Sequence, residues 1–120
     1  MGSLPDKPLP YGELITPQLT EAIIDRIVGM IHPEKVLVFG SCAREQPGID
    51  SDLDLLVVMN TDLPKFKRGA LIRGLFKPQP CPMDILVYTP EEIDYWIGTT
   101  NHIITEAFAT GKVYYERKAA

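Results

Sequence analysis

Three short apolar runs punctuate the chain, at Val36–Phe39, Leu55–Met59 and Ile85–Tyr88. Each is too short for a buried helix, rich in β-branched residues, and bounded by Gly, Pro or polar residues, the pattern of strands buried on both faces. Between and around them lie segments of helical period. Leu19, Ile23, Ile24, Ile27, Val28 and Ile31 recur at helical spacing between Thr16-Pro17, a start signal, and His32-Pro33, a stop. Strands over 35–39, 52–59 and 82–88 therefore alternate with helices. A short final strand is expected over 112–116, after a helix closed by Gly111. The order αβ(α)βαβααβ specifies an α/β fold, a small mixed central sheet flanked by helices.

Composition sets the limits around that frame. The chain has 120 residues, 45% of them apolar and 23% charged, with a formal net charge of −4. These values suit one modest domain and exclude a disordered, collagen-like or disulfide-dense chain. The acidic balance argues against a surface wholly devoted to nucleic acid, though a local basic patch stays compatible. No segment approaches the roughly 20 apolar residues of a membrane helix. The start of the chain, with Pro5, Pro8 and Pro10, lacks the apolar stretch of a secretory signal. Residues 1–15 read as an extended, loose lead-in and 16–117 as the domain. Cys42 and Cys81 lack metal-ligand spacing. They are expected as reduced thiols of a cytoplasmic protein.

The remaining helices are marked by their ends. Thr89-Pro90-Glu91-Glu92 has the spacing of a capping box, with Thr89 as N-cap and Glu92 at N3. Residues 63–77 read as a basic helix with Phe66, Ala70, Leu71, Leu75 and Phe76 turned inward. A one- to two-turn helix is expected from Ser41 to Gln46, and a last one from Asn101 to Thr110.

Chemistry concentrates at Ser51-Asp52-Leu53-Asp54. Two carboxylates two residues apart on a strand share a face, with α-carbons about 6.5–7 Å apart. Leu53, Leu55 and Val57 point the other way, so Asp52 and Asp54 begin the face that Leu56 and Val58 continue. A solvated strand end would explain a bare pair of this kind. Asp84, in an apolar strand of its own, is a third carboxylate where strand propensity disfavours one. One hard divalent cation site, for Mg2+ or Mn2+, would explain all three. At the end of the first strand, Phe39-Gly40-Ser41 forms a turn whose free N–H groups suit a phosphate. The spacing is neither that of a P-loop nor that of a dinucleotide-binding fingerprint. A phosphate turn facing three carboxylates is an arrangement for phosphoryl or nucleotidyl transfer.

Gly40-Ser41, ten residues, Asp52-Leu53-Asp54 and then Asp84 on a further strand resemble the signature of the DNA polymerase beta-like nucleotidyltransferase superfamily. More narrowly, the chain resembles the minimal nucleotidyltransferases, or MNT proteins, over Pro17 to Glu116. The tail Gly111-Lys112-Val113-Tyr114-Tyr115-Glu116 is similar as well. The resemblance implies a polymerase beta-like fold, with Gly40 and Ser41 at the nucleotide phosphates. It makes Asp52 and Asp54 ligands of the catalytic metals. Asp84 becomes the third ligand, which also helps activate the attacking hydroxyl. Where the family often has Gly-Ser-Arg-Ala-Arg-Gly, this chain reads Gly40-Ser41-Cys42-Ala43-Arg44-Glu45. Arg44 fills the second arginine position; Cys42 and Glu45 depart from the pattern.

The activity implied by the resemblance is Mg2+-dependent transfer of a nucleotide, AMP from ATP, to an acceptor hydroxyl. The acceptor implied is a HEPN-type toxin protein, which gives the chain an antitoxin role; a homodimer is the other expected assembly. Two readings stay beside it: a non-catalytic module that neutralises a HEPN partner by binding, and a small-molecule nucleotidyltransferase. Several weaker features have two readings each. The cations Lys65, Lys67, Arg68, Arg73 and Lys77 form either a solvated helix face or a surface for triphosphate, RNA or an acidic partner. Tyr95, Trp96 and Ile97 form either a partner surface or packing under the last helix. His102 reads as a helix cap or surface residue before an acid–base group.

Overall fold

The computed structural model describes residues 4–10, 13–43 and 52–118. Helix α1 (Pro17–Ile31) starts where Thr16 Oγ1 accepts the Leu19 N–H at 3.1 Å, and ends where His32 turns left-handed at φ 55°. Strand β1 (Lys35–Phe39) runs into one 3-10 turn, Gly40–Cys42. Strand β2 (Leu53–Val58), helix α2 (Lys65–Arg73), strand β3 (Met83–Tyr88), helices α3 (Pro90–Trp96) and α4 (Ile103–Thr110), and strand β4 (Lys112–Glu116) follow. The capping box forms as expected, with Thr89 Oγ1 accepting from Glu92 N and Glu92 Oε1 accepting from Thr89 N.

The strands form one mixed sheet in the order β3-β2-β1-β4. β1 is antiparallel to both its neighbours, and β2 and β3 are parallel. Alternation along each strand sorts side chains to two faces. Val36, Val38, Leu53, Leu55, Val57, Ile85 and Val87 meet Ile23, Ile24 and Ile27 of α1 and Ile72 of α2 on one face. Leu37, Phe39, Leu56 and Tyr88 meet Ile104 and Ala107 of α4 on the other. The fold class is therefore the expected one, helices on both sides of a small mixed sheet. Among the described residues no helix is long and apolar enough to cross a membrane.

The lead-in lies against this body. Leu4 and Leu9 pack on the α1-side core, Leu9 N donates to Pro80 O at 2.6 Å, and Ile15 is buried.

Three local expectations need correction. Helix α2 ends at Arg73, and its inward residues are Arg68 and Ile72. Phe66 and Leu71 point outward, 82% and 41% exposed, and Ala70 is exposed too. The reason is Arg68, whose guanidinium occupies the inner face and is satisfied there. Of the expected helix over Ser41–Gln46, only the turn through Cys42 lies among the described residues. Gly111 follows α4 at φ −81°, so it is not a left-handed cap. It is small because a Cβ there would collide with Ala107 O and press on Val38 O.

Candidate active site

Asp54 enters the sheet interior at the point where three strands meet. It pairs across β1 with Phe39 and across β3 with Asp84. Parallel neighbours lie about 4.8 Å apart in a sheet, and partners at the same register project to the same face. Asp54 and Asp84 therefore stand side by side on the α4 face, ahead of Leu56 and Leu86. Asp52 precedes Asp54 by two residues, at the start of β2. Asp54 is half-buried, while Asp52 and Asp84 are exposed.

The electrostatics carry the same signature. Burial, then the charge of Asp84, then that of Asp52, push the Asp54 carboxyl above its ordinary range. The ion pairs of Lys35 with Glu116 and of Arg68 with Glu92 lie away from these carboxylates.

Gly40 closes over this pair from β1. Its φ of 72° is left-handed, which glycine adopts without cost. A Cβ at Gly40 would also fall inside the Asp54 Oδ2 atom. The turn after β1 is thus pressed directly onto the Asp54 carboxylate. Cys42, two residues on, holds the other end: its Sγ lies 3.6 Å from the carbonyl oxygen of Asp52. The sequence carries no sign of this link, because nothing in it pairs positions 42 and 52. Ser41 belongs to the turn by its backbone, and Arg44 and Glu45 lie outside the described residues.

The donor set of three carboxylates has the chemistry of a hard divalent site. Half-burial and like-charge crowding at Asp54 are the strain such an ion would relieve. Among the described residues no three His, Cys, Asp or Glu side chains are already gathered into a closed metal cage. The exposed side chains of Asp52 and Asp84 leave room for the group to close on an ion. A cavity of about 640 Å³ opens beside the same turn, lined by Ile15, Thr20, Cys42, Lys112 and Tyr114 among others. None of the three carboxylates lines it. It lies beside α1, off the carboxylate face.

The nucleotidyltransferase domain family matches residues 21–107, a span that holds the Gly40 turn and all three carboxylates. The chain belongs to this family. Among solved structures it is similar to a proposed nucleotidyltransferase from Sulfolobus solfataricus. Identity is 18%, the TM-score is 0.55, and the likeness covers 83% of this chain and 79% of that one, which shows a shared fold. No curated protein matches the chain. Within a nucleotidyltransferase domain, the carboxylates at the β2 and β3 starts and the turn after β1 form the candidate catalytic centre.

Proposed function

We propose that this nucleotidyltransferase moves AMP from ATP onto an acceptor hydroxyl with Mg2+ or Mn2+ as cofactor. We propose further that the acceptor is a HEPN-type protein partner in the cytoplasm, to which the chain is an antitoxin. The observation that carries the reading is the register of Asp54 with Asp84 beneath the Gly40 turn. It joins the two halves of the chemistry, a carboxylate pair and a phosphate turn, at one point.

In this reading Asp52, Asp54 and Asp84 hold the divalent ion. When bound, that ion polarises the α-phosphate and lowers the pKa of the acceptor hydroxyl. Backbone N–H groups of the Gly40–Ser41 turn orient phosphate oxygens. Asp84 is the exposed member of the facing pair and lies on an edge strand, so an incoming hydroxyl reaches it first. Its carboxylate oxygen takes the hydroxyl proton. The acceptor oxygen bonds to the α-phosphorus as the bond to pyrophosphate breaks.

One observation favours a second reading, a binding module without transfer. Cys42 stands where the family pattern has arginine, and its Sγ lies against the Asp52 carbonyl, where a thiol cannot supply an arginine's charge to a phosphate. Incubation with α-labelled ATP, Mg2+ and a co-purified partner separates the two. Label on the partner, lost in Asp54→Asn and Asp84→Asn, supports transfer. A tight complex that stays unlabelled supports the module and removes the enzymatic reading.

A further inference from the structure

The Gly40–Cys42 turn has two sides. One is pressed onto the Asp54 carboxylate, with no room between them for a Cβ on Gly40. The other borders the cavity of about 640 Å³, which Cys42 helps to line. That volume is in the range of small-molecule sites. Ile15 and Val113 form apolar parts of the wall, while Glu21 and Lys112 bring charge to it.

Register places Lys112 close to the turn. It opens β4 and stands opposite Val38 of β1. Val38 packs on the α1 side of the sheet, and directly paired residues project to one face. The Lys112 side chain is therefore on the α1 side, at the end of the sheet where the carboxylates lie. The next residue of β1, Phe39, is the partner of Asp54. Two strand spacings and one residue of rise put the α-carbons of Lys112 and Asp54 about 10 Å apart. The end of β1 and its turn stand between them.

A triphosphate with its α-phosphate at the carboxylates and its oxygens on the turn must place two further phosphates. On the carboxylate side, beyond a divalent ion, they meet like charge. Across the turn they meet a cavity and an ammonium. Position 42 brings no cation of its own, because the pattern it resembles has arginine there and this chain has Cys42.

We infer that this cavity seats the β- and γ-phosphates and that Lys112 binds them, supplying the charge that Cys42 lacks. The inference rests on the nucleotide transfer proposed above. As the acceptor oxygen bonds to the α-phosphorus, the bond from that phosphorus to the bridging oxygen breaks, and its electron pair stays with pyrophosphate. The Lys112 ammonium donates hydrogen bonds to the oxygens on which that charge collects. Glu21, in the same wall, repels pyrophosphate and so favours its release.

Two measurements on the full chain, with Mg2+ present, test it. One is calorimetric titration with pyrophosphate and with AMP; the other is the rate at which a disulfide reagent modifies Cys42. The wild type binds pyrophosphate, and pyrophosphate slows the modification of Cys42 because both share one cavity. Lys112→Gln weakens pyrophosphate about ten- to a hundredfold, the loss of a charge-assisted contact, and leaves AMP binding as it was. Lys112→Arg retains pyrophosphate binding, and Glu21→Gln tightens it. Cys42→Arg added to Lys112→Gln restores it, which also shows that the Lys112→Gln chain is folded. A wild type that binds no pyrophosphate overturns the inference, as does binding that ignores Lys112→Gln or a Cys42 rate that pyrophosphate leaves unchanged. Equal losses of AMP and pyrophosphate overturn it too, since they mark a general disturbance. Labelling of an acceptor from α-labelled ATP is read separately. Label without Lys112-dependent pyrophosphate binding leaves transfer standing and removes the inference. Lys112-dependent pyrophosphate binding without label keeps the phosphate site and removes transfer.

Discussion

Gly40 is the residue on which the candidate site turns. It combines a left-handed φ of 72° with no room for a Cβ against Asp54. Gly40→Ala therefore has two costs, backbone strain and displacement of the carboxylate, together about 1–3 kcal/mol. The expected outcome is a lower urea midpoint and lost nucleotide transfer, with wild-type secondary structure by circular dichroism. The two thiols separate as sharply. Burial first, then proximity to Cys42 and Asp52, push the Cys81 thiol up to about 12, whereas Cys42 is partly exposed. At mildly alkaline pH a disulfide reagent should titrate one thiol, Cys42, in the native protein and two after unfolding. Two fast thiols in the native protein would mean that the Cys81 environment is open. Much of this site was legible as chemistry: Asp52, Asp54, Asp84 and Gly40 all announce themselves by type and spacing. Their meeting was not. The Asp54–Asp84 register joins residues thirty positions apart through a parallel crossover, and local pattern carries no information about where such strands align.

At the scale of elements, α2 shows why helical periodicity misleads. Phe66, Ala70, Leu71 and the Arg68–Ile72 stripe all have helical spacing, and apolarity selected the first set as the inward face. The fold buries Arg68, a residue type seldom buried unless paired. Here it is paired, to Glu92 and to the carbonyls of Val87 and Leu63. The partner lies twenty-four residues away on α3, so no reading of α2 alone could supply it. Strand and helix-cap positions, by contrast, are local matters, and the Thr89 capping box appears where its four residues place it. Arg68→Ala should destabilise the fold by about 1.5–3 kcal/mol, since it strips hydrogen bonds from a charged group and from an edge carbonyl. Burial alone would raise the Glu92 pKa. The Arg68 hydrogen bond, the Thr89 N–H and the charges of Arg68 and Lys65 outweigh it and hold the carboxyl below its ordinary 4.5. A depressed carboxyl binds its proton more weakly in the folded state. Its contribution is therefore present above pH 4.5 and is lost as pH falls through the folded value. The stability difference between wild type and Glu92→Gln should be greatest near neutrality and shrink below about pH 4.5. Denaturant midpoints across that range check it, and a constant difference would show that the pair contributes by shape alone.

The whole molecule gathers its carboxylates at one end of the sheet and closes the β3 edge further along. The carboxylates lie at the starts of β2 and β3, and Arg68 occupies the β3 edge at Val87 and reaches Glu92 of α3. The chain already carries a net charge of −4, and Asp84 and Asp52 crowd the half-buried Asp54. A carboxyl whose folded pKa is raised contributes its stability at low pH and loses it as pH rises from the ordinary value to the folded one. As pH rises past the ordinary carboxylate range, the metal-free protein therefore loses stability to that burial and repulsion. Removing the charge by Asp54→Asn should raise the melting temperature of the metal-free protein, even as it abolishes transfer, because a strained catalytic group is being exchanged for a neutral one. Mg2+ should reverse the order. An ion that binds the folded state alone stabilises it in proportion to the logarithm of its concentration over Kd. Wild-type melting should therefore climb with Mg2+, while Asp54→Asn and Asp84→Asn respond little. Melting curves at a fixed protein concentration, with Ca2+ and matched ionic strength as controls, separate site binding from general screening. Equal responses in wild type and both variants would mean that the three carboxylates do not act together on an ion, and the family's chemistry would then have to be sought elsewhere on this chain.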